Sequence, residues 1–137
     1  MSTRITPRSR PVEFFSDFES NLERIPGRED IARRINENAV RDSIRNLVLT
    51  DRGERLFQPD IGCDIRGSLF ENIDQNTILV LKENIRSTIK TFEPRCEVKD
   101  VIVNANIDKN EIFVKIIFSV INTNRNLSLT IDLSRVR

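Results

Sequence analysis

The hydrophobic period of this chain changes once, at Pro94, and that change governs what the chain can fold into. Upstream, Ile78, Leu81, Ile85, Ile89 and Phe92 are spaced by 3, 4, 4 and 3 residues, which lines them up on one face of an α-helix. Pro94 lacks an amide hydrogen, and its ring pushes Glu93 out of the helical region, so the helix has to end there. Downstream the apolar residues fall at every second position, the pattern of half-buried strands. "EVKDVIVNANI" (97–107) and "EIFVKIIFSVI" (111–121) are joined by a hairpin turn at Asp108-Lys109-Asn110, and "LSLTIDL" (127–133) follows. The middle run is apolar on both faces, with Ile112, Val114, Ile116, Phe118 and Val120 on one and Phe113, Ile117 and Ile121 on the other. That marks a central strand, or one with helices on one face and a partner on the other. Leu127, Leu129, Ile131 and Leu133 alternate cleanly and point inward.

Before Pro94 the chain reads as helices. Asn36 or Asn38 can cap a helix whose Val40, Ile44, Leu47 and Val48 share a face, and Gly53 suits a left-handed position at its end. Asp64 opens a short helix, and Asp74 caps the long one. The expected fold is α+β: two main helices and a short one packed on a small, about three-stranded, antiparallel C-terminal sheet. Helices are expected at about 38–50, 64–71 and 74–92, and strands at about 97–106, 111–121 and 127–133. Residues 28–137 form one domain, and residues 1–27, with Pro7, Pro11 and Pro26, form an extended N-terminal arm. "REDIARRI" (28–35) can be extended.

At 137 residues the chain suffices for one core. Lys+Arg 22 against Asp+Glu 21 gives no overall field for nucleic acid or anionic lipid. Arg33, Arg34, Arg41 and Arg45 approach a basic stripe, but Glu29, Asp30, Glu37 and Asp42 interrupt it. The polar start is broken by Pro7 and Pro11 and does not read as a signal peptide, and the apolar runs fall well short of the ~18 residues of a membrane span. Cytosolic synthesis with reduced Cys63 and Cys96 is the expectation. With no His, Ser-His-Asp and Cys-His nucleophile schemes are excluded. Two cysteines without His do not make a zinc site, and four scattered glycines make no phosphate loop. No cofactor and no metal are expected. An enzyme would have to run on carboxylates, with Glu54, Asp60, Asp64 and Glu93 as the loop acids, yet nothing in their spacing forces two together.

What remains is a surface rich in Arg and Phe, residue types enriched at protein interfaces. Phe14, Phe15 and Phe18 either fold back as a lid or order against a partner. Glu93 and Arg95 flank a rigid proline and, if extended, project to one side, as a docking corner or as an intrachain salt bridge. The small sheet has edges that either "LSLTIDL" or "EIFVKIIFSVI" could offer for strand addition.

The run "NENAVRDSIRNLVLTDRGERLFQPDIGCDIRGSLFEN", followed by "FEPRCEV", resembles the baseplate wedge proteins of contractile-tailed phages, the sheath initiators of T-even-like phages. They are related to the type VI secretion baseplate subunit that carries a Glu-Pro-Arg motif. The most specific parts are "NLVLTDRGER", "PDIGC", "LFEN" and Glu93-Pro94-Arg95. The resemblance implies a non-enzymatic structural protein of the virion tail baseplate, assembled late in the host cytoplasm beside the tail tube. Its implied partners are other wedge subunits, the tail sheath protein and tube or hub proteins, with no nucleic acid and no membrane. It further implies that Glu93, Pro94 and Arg95 contact the wedge, and that the C-terminal sheet templates the first sheath ring by β-strand addition. On that reading Leu127, Leu129, Ile131 and Leu133 lie nearest the sheath, and Phe14, Phe15 and Phe18 meet a wedge or neighbouring subunit. The family also carries a lysozyme-like label, so a carboxylate-based tail hydrolase is the alternative.

Overall fold

The computed structural model describes residues 13–18, 33–68, 74–106, 111–121 and 125–134. The chain divides into two compact units, residues 1–39 and 40–137. In the first, β1 (Ser16–Phe18) pairs antiparallel with β2 (Arg33–Ile35). Part of the segment expected as an arm thus lies in a ladder with residues expected to open the domain. Asn36 has φ +50 and accepts hydrogen bonds through Oδ1 from the amides of Phe14 (2.8 Å) and Phe15 (3.3 Å). Its short amide tolerates the left-handed backbone, so it serves as a turn residue that closes the small ladder.

Helix α1 (Glu37–Leu49) begins directly after Asn36. From Val40 onward its Val40, Ile44, Leu47 and Val48 are buried, on the face that the spacing predicts. Thr50 closes the last turn, its amide and hydroxyl both donating to the Asn46 carbonyl. The helix therefore ends at Leu49, four residues ahead of Gly53. Gly53 does adopt φ +84, but its amide donates to the Pro59 carbonyl and so pinches a surface loop. Beyond that loop the chain returns to the helix end at Gly62, where a Cβ would meet the Thr50 carbonyl oxygen at 2.5 Å. Only glycine fits there, at φ +136 and against backbone.

Helix α2 (Ile65–Ser68) is a single turn that starts one residue after Asp64, and residues 69–71 of the expected 64–71 helix lie outside the described residues. Helix α3 (Gln75–Phe92) starts where Asp74 accepts hydrogen bonds from the Thr77 amide and hydroxyl, both at 2.7 Å. Those bonds hold the Asp74 carboxyl below its ordinary pKa. The buried face of α3 is Leu81, Ile85, Thr88 and Ile89. Phe92, expected on that face, is 38 % exposed in the last turn.

Helix α3 lies against β3 (Cys96–Asn106), the first strand of an antiparallel sheet ordered β3-β4-β5, with β4 (Glu111–Val120) central and β5 (Asn126–Ser134) at the far edge. The α+β fold with a three-stranded C-terminal meander is as expected, while the 108–110 turn lies outside the described residues. Register brings the inward residues into rows: Val101–Ile116–Leu129, Val103–Val114–Ile131 and Val98–Phe118–Leu127. Phe118, Ile116, Val114, Ile85 and Ile89 are fully buried. Each such side chain contributes about 1.5–3 kcal/mol through its removal from water. Because β4 has a neighbour on both sides, "EIFVKIIFSVI" is not an edge, and only β3 and β5 can be.

Candidate docking site

The corner at Glu93-Pro94-Arg95 joins α3 to β3. The Glu93 amide still donates to the Ile89 carbonyl (2.8 Å), so the residue caps α3 while its own backbone, at φ −125 and ψ 75, has left the helix. Pro94 enforces that exit and is exposed. The Arg95 carbonyl then accepts from the Ile121 amide at 3.0 Å, tying the corner to the end of β4.

Sequence reasoning left open whether Glu93 and Arg95 pair with each other, and the structure shows that they do. Arg95 Nε and Nη2 donate to Glu93 Oε1 and Oε2 at 2.6 and 2.8 Å, a bidentate fork. Ser43 Oγ on α1, 50 residues away, donates to Glu93 Oε2 at 2.5 Å. Glu93 is buried, 2 % exposed, while the Arg95 side chain is 29 % exposed. Burial alone pushes the Glu93 pKa up. The hydrogen bonds from Arg95 and Ser43, with the Arg95 charge, outweigh it, so the carboxyl lies below its ordinary value and stays ionised. Beside it, burial and the Glu93 charge push the Cys96 thiol up to about 12, so it remains a thiol. Burial likewise raises Cys63.

The corner therefore offers Pro94 and part of the Arg95 guanidinium outward, while Glu93 is turned inward to position Arg95. Ser43 escaped the sequence reading, although a signal exists. It falls on the apolar stripe with Val40, Ile44 and Leu47 at helical spacing, and a hydroxyl there needs a buried partner.

The other anticipated interaction residues are scattered. Phe14 and Phe18 are 59 and 61 % exposed and Phe15 is half-buried. On β5, Leu129 and Ile131 are buried and Leu127 and Leu133 half-buried, so these four side chains face the domain's own core. Among the described residues no strand pairs with the outer edge of β5, so anything that docks there meets that backbone edge and Ser128, Thr130 and Asp132. Strand β5 runs in unbroken register with β4 from Asn126 to Ser134, whereas β3 has a register break between Val98 and Asp100. The loop acids do not assemble: Glu54, Asp60 and Asp64 are exposed and Glu93 is pinned. Among the described residues no cluster of metal-ligating side chains occurs, and no helix is long and apolar enough to cross a membrane.

Residues 29–125 match the model of the family described as baseplate wedge protein gp25. The baseplate wedge protein gp25 of Enterobacteria phage T4 is 30 % identical over 110 residues, covering 80 % of this chain and 83 % of that protein. Among solved structures, a Geobacter sulfurreducens protein provisionally described as a tail lysozyme superposes with a TM-score of 0.63 at 26 % identity, over 72 % of this chain and 89 % of that one. A chain of the anti-feeding prophage baseplate superposes at 0.62 with 21 % identity, over 86 and 83 % of the two chains. The type VI secretion baseplate complex contains another, at 0.55 and 18 %, over 69 and 90 %. These last two share the fold. Given a family match that spans most of the chain and a phage relative aligned over most of its length, the chain belongs to the gp25 family of baseplate wedge proteins.

Proposed function

We propose that this chain is a non-enzymatic baseplate component that sits by the tail tube and starts the sheath, with β5 as the template strand for the first sheath ring. The observation that carries this reading is the contrast between the two sheet edges. Strand β3 has the marks of a protected edge: a bulge at Val98/Asp100 and the charges Glu97, Lys99 and Asp100, with Lys99 bonded to Glu97 at 2.6 Å. Strand β5 is nine residues long, unbulged, free of proline and charged only at Asp132. A flat edge of that length invites an added strand, and its two-residue side-chain period would set the register of what joins.

Wedge subunits would dock at the Pro94–Arg95 corner, and the tail sheath protein on β5, with tube or hub proteins nearby. Neither nucleic acid nor membrane is part of this role, and assembly would take place in the host cytoplasm before incorporation into the virion. The non-enzymatic reading is supported by Glu93, since a general acid needs a raised pKa and that of Glu93 is lowered.

The test is sheath assembly on purified baseplates that carry Ser128→Lys/Thr130→Lys. Both residues are exposed on the face away from the core, and edge lysines oppose strand addition. The expected result is a folded protein that enters baseplates but leaves them bare of sheath by electron microscopy. Normal sheath growth on such baseplates would refute the assignment of β5.

A further inference from the structure

The 51–60 loop, "DRGERLFQPD", presents an unusual surface. Leu56 and Phe57 are 92 and 97 % exposed, the most exposed large apolar side chains among the described residues. They are adjacent, on a loop that is held rather than loose. The Gly53 amide donates to the Pro59 carbonyl at 2.9 Å across the loop base. Within it, Glu54 donates to Asp51 and Gln58 to Arg55, both at 3.2 Å, and the Glu54 carboxylate turns back to accept from the Asp51 amide at 3.0 Å. Gly62, against Thr50, anchors its far end. A braced loop that holds a Leu-Phe pair in water gains nothing for its own fold, but it has already lost the entropy that binding would otherwise cost.

We propose that this loop is a preformed plug, whose Leu56 and Phe57 enter an apolar crevice of a neighbouring baseplate protein, with a carboxylate at the rim of that crevice meeting Arg55. A convex two-residue tip requires a concave apolar acceptor, and large apolar side chains central to an interface are its usual anchors. A second copy of this chain is a poor acceptor. The cavity of about 400 Å³ bordered by α2 and α3 is lined mostly by polar groups, among them Asp64, Asp74, Asn76, Thr77 and Asn84. A lipid surface is disfavoured too, because Leu56 and Phe57 are two apolar side chains set among the exposed charges of Glu54, Arg55 and Asp60, too little apolar surface to hold a protein on a bilayer. Arg55, exposed and next to the pair, sets the sign of the rim. The inference uses membership in the baseplate family but not the sheath role of β5, and the two separate experimentally: plug variants fail to enter baseplates, whereas β5 variants enter and fail to start sheath.

The experiment is the Leu56→Ser/Phe57→Ser variant in the full chain, assayed for incorporation into assembled baseplates, together with a photo-crosslinking p-benzoylphenylalanine at position 57. The expected result is an unchanged thermal midpoint by far-UV circular dichroism, with incorporation reduced about 30-fold or more, the loss typical of interface anchors. The crosslink should reach an apolar residue of a different baseplate protein, with an Asp or Glu of that protein nearby. A lowered thermal midpoint would show that the pair belongs to the fold and overturn the proposal. So would undiminished incorporation, a crosslink confined to a second copy, or Phe57-dependent binding to phosphatidylglycerol vesicles.

Discussion

Removing the Arg95 guanidinium should expose what holds the corner together. Arg95→Ala leaves the Glu93 carboxylate buried, 3 % exposed, with the Ser43 hydroxyl and the backbone amide of residue 95 still donating to it but no charge opposite it. Breaking a buried ion pair by deleting one partner costs about 3–5 kcal/mol, because the remaining charge has lost its compensation. The lower end applies here: Ser43 keeps its bond, and Arg95 is 29 % exposed, so some solvent reaches the space it leaves. The expected loss is about 3 kcal/mol at pH 7, out of a stability of order 5–15 kcal/mol for a domain of this kind. Urea unfolding followed by far-UV circular dichroism measures it, since the chain has neither Trp nor Tyr to report by fluorescence.

Two further outcomes separate this account from simple loss of packing. In the wild type the Glu93 pKa is depressed, so its contribution is present above the ordinary carboxylate value, about 4.3, and is lost as the pH falls through the folded value. In Arg95→Ala, burial is expected to outweigh the remaining hydrogen bonds from Ser43 and the residue-95 backbone and to raise the folded pKa, so that variant gains stability as acidification neutralises Glu93. The gap between the two proteins therefore narrows from pH 7 to pH 4. At pH 7 the double variant Glu93→Gln/Arg95→Ala should be more stable than Arg95→Ala alone, because a neutral amide leaves no orphaned charge. A gap below 0.5 kcal/mol, a gap that does not depend on pH, or a double variant worse than the single would refute the reasoning.

Gly62→Ala should lower stability by several kcal/mol, since its Cβ would stand 2.5 Å from the Thr50 carbonyl oxygen. Gly53→Ala has nothing within 4 Å and should cost only the left-handed penalty, about 1–2 kcal/mol; urea unfolding of both variants checks the order. Ile89→Ala, at a fully buried position on α3, should cost about 2–5 kcal/mol in the same assay. Purified protein should leave peptidoglycan turbidity unchanged, and clearing that disappears with Glu93→Gln would show the chain to be an enzyme after all.

The parts of the fold that follow from one-dimensional period were legible in the sequence. Pro94 and the switch from helical to alternating spacing locate the end of α3 and the start of β3 to within a residue, and the inward rows of β4 and β5 follow from alternation alone. What period cannot convey is how far a neighbouring layer extends or which residue completes a pair. Phe92 lies on the right stripe but is 38 % exposed, and Thr88, on the same stripe, is buried with its hydroxyl 3.4 Å from the Gly62 carbonyl. The Glu93-Pro94-Arg95 corner was only half readable. The two-residue separation of Glu93 and Arg95 made a pair conceivable, but the inward turn of Glu93 depends on Ser43, which only tertiary structure brings to it. Leu56 and Phe57 sat inside a stretch notable for its turn formers, and their exposure follows from hydrogen bonds of the loop backbone that side-chain hydrophobicity does not encode.

The corner bears on function because of what converges there. Ser43 brings α1, the Glu93 amide brings α3, and the Arg95 carbonyl brings the end of β4, so one carboxylate and two peptide groups fix α1 and α3 to the sheet. A partner that holds Pro94 and the exposed part of Arg95 therefore holds a point whose position relative to β5 is set by the packed core rather than by a loop. Rigid placement lowers the ordering cost of association. It also transmits geometry: a wedge contact at the corner would determine where the β5 edge points, which a strand template for a symmetric ring requires. A softened corner should accordingly let the protein enter baseplates yet start sheath in variable orientations. Arg95→Lys is the variant to examine, because it keeps the charge but loses the bidentate fork. Uniform, wild-type sheath growth on baseplates carrying it would separate docking from orientation and remove the link argued here.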